Sequence, residues 1–245
     1  STAEPVEGGY RLTGTKRWVV NGDRATGWIV AAIAPEGPTL FAVDAAADGA
    51  VVEGAEPTAG FAAAGISRVS LDGVFVPDSS RLGVEGEAAD LLAAAAGTSR
   101  LGIAAQAVGM AQAGLEHARA YAAERKQFGR ALTEFGATRE KLGEMVGRVA
   151  AARALVVDAA RRATSNEPGL DGLGFAEFSS VVKVFSTRAA TWIADEAVQV
   201  FGGYGYMRHY PVEKLLRDAQ GAEIYGGTRE DLLEVAAGAL LQSQS

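Results

Sequence analysis

Few kinds of side chain in this sequence can carry chemistry. Its 245 residues include no cysteine and two histidines, His117 and His209. Disulfides, zinc–thiolate sites, cysteine nucleophiles and a histidine metal site are therefore excluded. Arginine, glutamine, glycine and acidic residues are grouped in four segments, ERKQFG, QVFGGYGY, YPVEKLLRDAQ and IYGGTRE. An arginine fork suits phosphate and glycine lets a ligand approach the backbone, but taken alone ERKQFG reads as a solvated helix end and GGYGY as a helix terminator.

Two kinds of pattern divide the chain and predict an α+β fold. Residues 1–83 read as short strands, and Asn21-Gly22 and Asp72-Gly73 between apolar runs predict hairpin turns. Residues 84–245 show apolar positions three and four apart, with breaks near Gly129 and at TSNEPGLDGLG, which predicts an antiparallel four-helix bundle. GGYGY ends a helical pattern and does not follow a strand, so it is not a Rossmann fingerprint. The strands look like the second part of a β domain, so we expect either a fragment or a complete small β domain.

Charge and hydropathy limit the partners. The net charge of −7 argues against a nucleic-acid partner, because phosphate binding needs a concentrated basic surface. The first residues lack the features of a signal peptide, and no run approaches the roughly 18 uninterrupted apolar residues of a membrane helix. We therefore expect a cytoplasmic protein without membrane insertion.

The four segments, in this order over about 110 residues and preceded by GTKRWVVNG and LDGVFVP, resemble the acyl-CoA dehydrogenase family. The resemblance covers nearly all of this chain and the latter two-thirds of a typical member. It implies an oxidoreductase of fatty acid metabolism, a homo- or heterotetramer that binds FAD partly across a subunit interface. A base removes the α-proton of an acyl thioester, of CoA or a carrier protein, while flavin N5 takes the β-hydride. An electron-transfer flavoprotein or another acceptor then takes the electrons.

The resemblance also implies which residues contact FAD: Trp18, Val20, Arg125, Gln127, Phe128, Gln199, Gly202, Gly203, Thr228 and Glu230. Arg125 would meet the pyrophosphate of a neighbouring subunit's FAD. Trp18 would lie near the flavin ring, with a buried cross-strand aromatic as the alternative. Val20 stands where the family has a hydroxyl that bonds the flavin, and valine cannot donate. Thr228 is equally explained as the N-cap of a helix.

The residue that the resemblance makes the catalytic base is missing. Gly226 stands where most members have glutamate, and it would line the substrate site with Tyr225 and Arg100. A smaller group places the glutamate on the first long helix, where this chain has Ser99. A serine hydroxyl without a basic partner is a poor base. Replacing a carboxylate by glycine also predicts free volume for a branched or bulky acyl group, unless Tyr225 or Phe201 fills it.

Four explanations of the missing base stay open. Glu87, Asp90 or Glu223 supplies the carboxylate. The chain is the non-catalytic partner in a heteromeric dehydrogenase whose other subunit carries glutamate. Its flavin performs different chemistry, such as the oxygen activation of a monooxygenase. Or the chain no longer catalyses and serves as a structural or FAD-binding module.

Overall fold

A computed structural model describes residues 1–165, 167–169 and 172–242 of the chain. They form two compact units, Ser1–Ala94 and Ala95–Ser245. The sequence places the boundary between residues 83 and 84, whereas the units divide inside the first long helix. The predicted end of the second domain, residues 243–245, and part of the TSNEPGLDGLG break lie outside the described residues.

The first unit contains a seven-stranded sheet in the order β5-β6-β2-β1-β3-β4-β7. Its neighbouring strands are antiparallel, except that β1 and β3 meet in parallel at Thr2 and Ile33. Alternate residues of the long strands form a buried core that includes Leu12, Phe41 and Val74. The strands are β1 (Thr2–Val6), β2 (Gly9–Val19), β3 (Gly27–Ala34), β4 (Gly37–Asp44), β5 (Ala50–Ala55), β6 (Ser67–Pro77) and β7 (Arg81–Leu82).

Both predicted hairpins are wrong. Asp72-Gly73 lies inside β6, where two residues stand opposite Thr13 and form a β-bulge with Gly73 at φ 61°. Asn21-Gly22 does make a turn at the end of β2, with Asn21 at φ 56°. However, β1 lies between β2 and β3, so this turn joins no hairpin. Turn residues determine local φ and do not select the pairing partner, which explains both errors.

The second unit is helical. Its helices are α1 (Ala88–Glu124, which begins in the first unit), α2 (Gly136–Ser165), α3 (Phe175–Phe201), α4 (Val212–Ile224) and α5 (Arg229–Gln242). The predicted break near Gly129 is a small hairpin of β8 (Lys126–Gln127) and β9 (Arg130–Ala131). The described part of the chain thus has five α-helices instead of four, because Gly226 and Gly227 separate α4 from α5 with φ of 77° and 116°. The predicted α+β fold is confirmed.

Helix α3 lies at the centre of the second unit and packs against α2, α4 and α5. Small side chains on α1 and α3 let these helices approach closely, with Ala107, Ala111, Ala190, Ala194 and Ala197 all buried in one cluster. Helix α1 is also long and apolar enough to cross a membrane by length and composition, with a mean hydropathy of 1.2 in its most apolar window. The core helix of a soluble protein can meet the same criterion, so the predicted cellular location stays a prediction.

Candidate active site

One cavity in the second unit gathers four of the residues predicted to bind the cofactor. It has a volume of about 480 Å³ and lies at the ends of α1 and α3, beside the β8–β9 hairpin. Arg125, Gln127, Gly202 and Gly203 line its polar side. The rest of the wall is largely apolar and consists of Tyr121, Leu132, Val200, Phe201, Tyr204 and Met207. An apolar cavity with a few convergent polar groups is the usual form of a cofactor site.

Arg125 is held in place by the elements on either side of it. Its backbone N–H donates to the Tyr121 carbonyl at 2.8 Å, and its carbonyl accepts from the Leu132 N–H at 2.9 Å. The guanidinium lies 5.5 Å from the centre of the Tyr204 ring. The Gln127 amide is assigned with its oxygen toward Arg125, because only this orientation gives the oxygen donors. The oxygen then accepts from the Arg125 guanidinium at 2.7 and 3.2 Å. This half-buried fork suits a phosphate group.

The two glycines leave the backbone open beside Arg125. Gly202 follows the last residue of α3 with φ 61°, a conformation that favours glycine. A Cβ added to Gly202 or Gly203 would meet no atom within 4 Å, so the space beside both is open. Behind them the Tyr121 and Phe201 rings stack with centroids 4.0 Å apart. A cation, accessible backbone and an aromatic wall together fit a dinucleotide such as FAD.

The other four predicted FAD contacts of this unit lie elsewhere, as far as the described residues show. Phe128 is 93% exposed at the tip of the β8–β9 hairpin, and Gln199 is exposed on α3. Thr228 precedes α5 as its N-cap, because its Oγ1 accepts from the Asp231 N–H at 3.4 Å and donates to the Asp231 carboxylate at 2.6 Å. Glu230 is exposed in the first turn of α5.

Trp18 and Val20 belong to the first unit. Trp18 is 64% exposed, which rules out the alternative of a buried cross-strand aromatic. It has φ 55° where the register of β2 against β6 shifts between Lys16 and Val19. A bulky residue rarely adopts this backbone, and such strain concentrates at functional sites. Val20 is also exposed, and its side chain offers no donor to a flavin.

The segment where the base is expected is held by helices α1 and α3. Arg100 of α1 donates from Nε to the Gly226 carbonyl at 3.2 Å and from Nη1 to Ser180 Oγ of α3 at 3.2 Å. The Tyr225 hydroxyl bonds Gln106 of α1, and burial raises the pKa of Tyr225, so the phenol stays a donor. The predicted substrate residues Arg100, Tyr225 and Gly226 are therefore brought together.

The free volume predicted beside Gly226 is not found. A Cβ at this position would lie 2.4 Å from Ile103 Cδ1. The end of the Ile103 side chain, on α1, therefore lies against the Cβ position of residue 226, and no atom of Phe201 lies within 4 Å of it. The space directly at the Cβ position is thus taken by the end of a side chain from a neighbouring helix, and the larger acyl pocket stays a prediction.

The candidate carboxylates are distributed over both units. Glu87 and Asp90 are exposed and belong to the first unit. Ser99 is exposed on α1 in the second unit. Glu223 is half-buried in the last turn of α4, three residues before Gly226. Of the three carboxylates, Glu223 is the one that shares a unit with the Gly226 segment.

Sequence reasoning missed Lys183, which is fully buried on α3. Its Nζ donates to the carbonyls of Glu223 and Gly227 at 2.8 and 2.9 Å. Burial lowers the pKa of Lys183 to about 8, the charge of Glu223 acts against this shift, and that of Arg100 adds to it. A lone lysine in the apolar stretch SSVVKVFS was the available signal, since a buried lysine is rare unless it is paired.

Comparison with known proteins agrees with this architecture. The model of the acyl-CoA dehydrogenase C-terminal domain matches residues 90–241. The chain belongs to the acyl-CoA dehydrogenase family.

Individual relatives match over more than the helical unit. An acyl-CoA dehydrogenase of Bacillus subtilis is 39% identical over 235 residues, which are 94% of this chain and 60% of that protein. The structure of butyryl-CoA dehydrogenase from Megasphaera elsdenii superposes with a TM-score of 0.93 at 34% identity, covering 98% of this chain and 63% of that one. The prolyl acyl carrier protein oxidase AnaB superposes with a TM-score of 0.89 at 28% identity, covering 97% and 62%. The chain thus spans about three-fifths of the length of these relatives.

Proposed function

We propose that this protein is an FAD-dependent dehydrogenase that desaturates an acyl thioester between its α and β carbons. The observation that carries the proposal is the cavity in which Arg125, Gln127, Gly202 and Gly203 meet. These residues come from segments 75 positions apart, Gln127 to Gly202, and they provide the charge and the open backbone that a diphosphate needs. Membership of a family named for acyl-CoA dehydrogenation supports the same activity.

The residues of this chain have separate tasks in that reaction. Bound FAD would supply the hydride acceptor. Arg125 would neutralise the diphosphate, and the backbone of Gly202 and Gly203 would lie along it. Arg100 holds the Gly226 carbonyl and so orients the segment that faces the acyl group in this proposal. The thioester carrier is CoA or a carrier protein, and both kinds of carrier appear in the names of the relatives.

The source of the base divides the proposal into two forms. In the first, Glu223 removes the α-proton, and its half-buried position next to the Gly226 segment supports this role. In the second, the chain binds FAD as one subunit of a heterotetramer, and a homologous subunit carries the glutamate. The contact between Ile103 and the Cβ position of residue 226 is compatible with both forms, because neither places a carboxylate at residue 226 of this chain. An electron-transfer flavoprotein is the acceptor we propose for either form.

The cavity predicts the effect of Arg125→Ala on flavin binding. Removing a charge-assisted bond to phosphate costs about 1.5–3 kcal/mol, so the dissociation constant for FAD should rise about 10- to 100-fold. Flavin fluorescence during titration of the flavin-free protein measures this constant. Arg119→Ala replaces an exposed arginine of α1, the helix that ends just before Arg125; it is the matched control and should change little. Equal affinities of both variants for FAD would show that Arg125 does not contact the cofactor.

Anaerobic mixing with acyl thioesters tests the activity itself. We expect at least one short- or medium-chain thioester to bleach the flavin absorbance, in the protein alone if Glu223 is the base. If a partner subunit supplies the base, bleaching requires the two proteins together. A Glu223→Gln variant that keeps the unmodified rate would contradict the first form. Flavin that no thioester reduces under either condition would contradict the dehydrogenase.

A further inference from the structure

A buried cation lies beneath the segment that would face the substrate. Lys183 is 0% exposed, and its neighbours Val182, Val184 and Ser186 on α3 are also buried. Burying an ammonium group without partners is costly, so its hydrogen bonds identify what the residue does. Lys183 Nζ donates to two backbone carbonyls, one in the last turn of α4 and one in the connection between α4 and α5.

The two acceptors stand on either side of Gly226. The Glu223 carbonyl, 2.8 Å from Nζ, is in the last turn of α4, where carbonyls lack partners within the helix. The Gly227 carbonyl, 2.9 Å from Nζ, lies beyond α4. One ammonium group thus ties the end of α4 to the residue after Gly226. A cation at a helix C-terminus is also favoured by the helix dipole.

The two glycines of the segment provide no constraint of their own. Gly226 and Gly227 carry no side chains that could anchor it, and both have positive φ. Arg100 fixes the Gly226 carbonyl from the α1 side, and Lys183 fixes the flanking carbonyls from the α3 side. Donors from two helices therefore define the backbone at the position where the family resemblance expects glutamate and this chain has Gly226.

We propose that Lys183 is a positioning residue that fixes the backbone of residues 223–227 through its bonds to the Glu223 and Gly227 carbonyls, and so sets the rate of thioester oxidation. The effect on the reaction rate rests on the proposed function. Lys183 touches neither substrate nor cofactor in this role. It acts through the segment, so its removal should lower the rate of flavin reduction more than it weakens thioester binding.

Lys183→Met tests this, because methionine has a similar length and no donor. A misplacement of about 1 Å can cost about 100-fold in rate, so we expect flavin reduction to slow about 10- to 100-fold. The thioester dissociation constant and the FAD content should change little. Lys183→Gln keeps an amide donor on a shorter chain and should give an intermediate rate. Ser179→Ala is the matched control, since Ser179 is buried on α3 and its hydroxyl bonds the Ala176 carbonyl of the same helix.

Hydrogen exchange separates a failure of this inference from a failure of the proposed function. Amide exchange of residues 223–228 should accelerate in Lys183→Met and Lys183→Gln and stay unchanged in Ser179→Ala, whether or not any thioester reduces the flavin. Unchanged amide exchange in the lysine variants would show that Lys183 does not fix the backbone of this segment. Faster exchange with an unmodified rate of flavin reduction overturns the positioning role. An unmodified protein that no thioester reduces counts against the proposed function, and the exchange data still decide whether Lys183 holds the segment.

Discussion

Gly226→Glu combined with Ile103→Val is expected to accelerate flavin reduction by acyl thioesters, whereas Gly226→Glu alone is expected to gain far less. A general base contributes about 10²- to 10⁴-fold, and the double variant should recover at least the lower part of this range in the protein purified alone. Valine lacks the Cδ1 atom that lies 2.4 Å from the Cβ position of residue 226. The next Ile103 atom, Cγ1, is at 3.9 Å, an ordinary contact that valine leaves undisturbed.

The single variant meets two obstacles. Ile103 must turn its side-chain end away at about 0.5–1.5 kcal/mol, and a glutamate at φ 77° adds about 1–2 kcal/mol. We therefore expect Gly226→Glu to lower the free energy of unfolding by about 1.5–3.5 kcal/mol and the double variant to be less affected by the clash. Gly226→Gln with Ile103→Val has the same size without a base and serves as the control. A single glutamate variant as fast as the double one, or a glutamine variant as fast as glutamate, would refute this explanation.

The stability contributed by Lys183 is expected to rise with pH above about 8, which is opposite to the behaviour of a lysine in a favourable ion pair. Burial lowers the pKa of Lys183 to about 8, below the value of 10.5 that it has in an unfolded chain. Between these values the unfolded chain binds a proton that the folded chain does not, so the free energy of unfolding increases with pH. Below about 8 both states are protonated, and the full cost of the buried charge is present.

Denaturant unfolding of the unmodified protein and of Lys183→Met across this pH range measures the effect. The difference between the two free energies of unfolding should move in favour of lysine by about 3 kcal/mol from pH 8 to pH 10.5, on the scale of 1.36 kcal/mol per pKa unit. Subtracting the methionine variant removes the contributions of the other groups that titrate there, including Tyr225. A difference that stays constant or falls with rising pH would show that Lys183 is not desolvated in the folded protein.

The residues that line the cavity proposed for FAD could be singled out from the sequence because they lie in short segments with distinctive composition, and their contact with FAD stays a prediction. Arg125 and Gln127 are two positions apart, Gly202 and Gly203 are adjacent, and the structure brings both pairs to one cavity. The Thr228 cap followed from a local rule as well, because its partner Asp231 is three residues away.

The remaining features depend on contacts between distant parts of the chain. Ile103 and Gly226 are 123 positions apart, and nothing in either segment shows that one side chain fills the space beside the other. Lys183 bonds carbonyls 40 and 44 positions away. The pairing of β2 with β6 around the Asp72-Gly73 bulge is similarly non-local. Local patterns could indicate a turn, a cap or a ligand segment, but not which helix would fill the position of the base.

The most direct measurement of the central claim is the mass of the acyl thioester after anaerobic incubation with the flavin-loaded protein, alone and together with a homologous subunit that carries the glutamate. An α,β-desaturation removes two hydrogens, so we expect a product two mass units lighter, formed in proportion to the flavin reduced. Arg125→Ala, loaded with the same amount of FAD, should give less product in the same time if FAD is misplaced. Reduced flavin without the lighter thioester, or an unchanged thioester with fully oxidised flavin in both preparations, would contradict the assignment as an acyl thioester dehydrogenase.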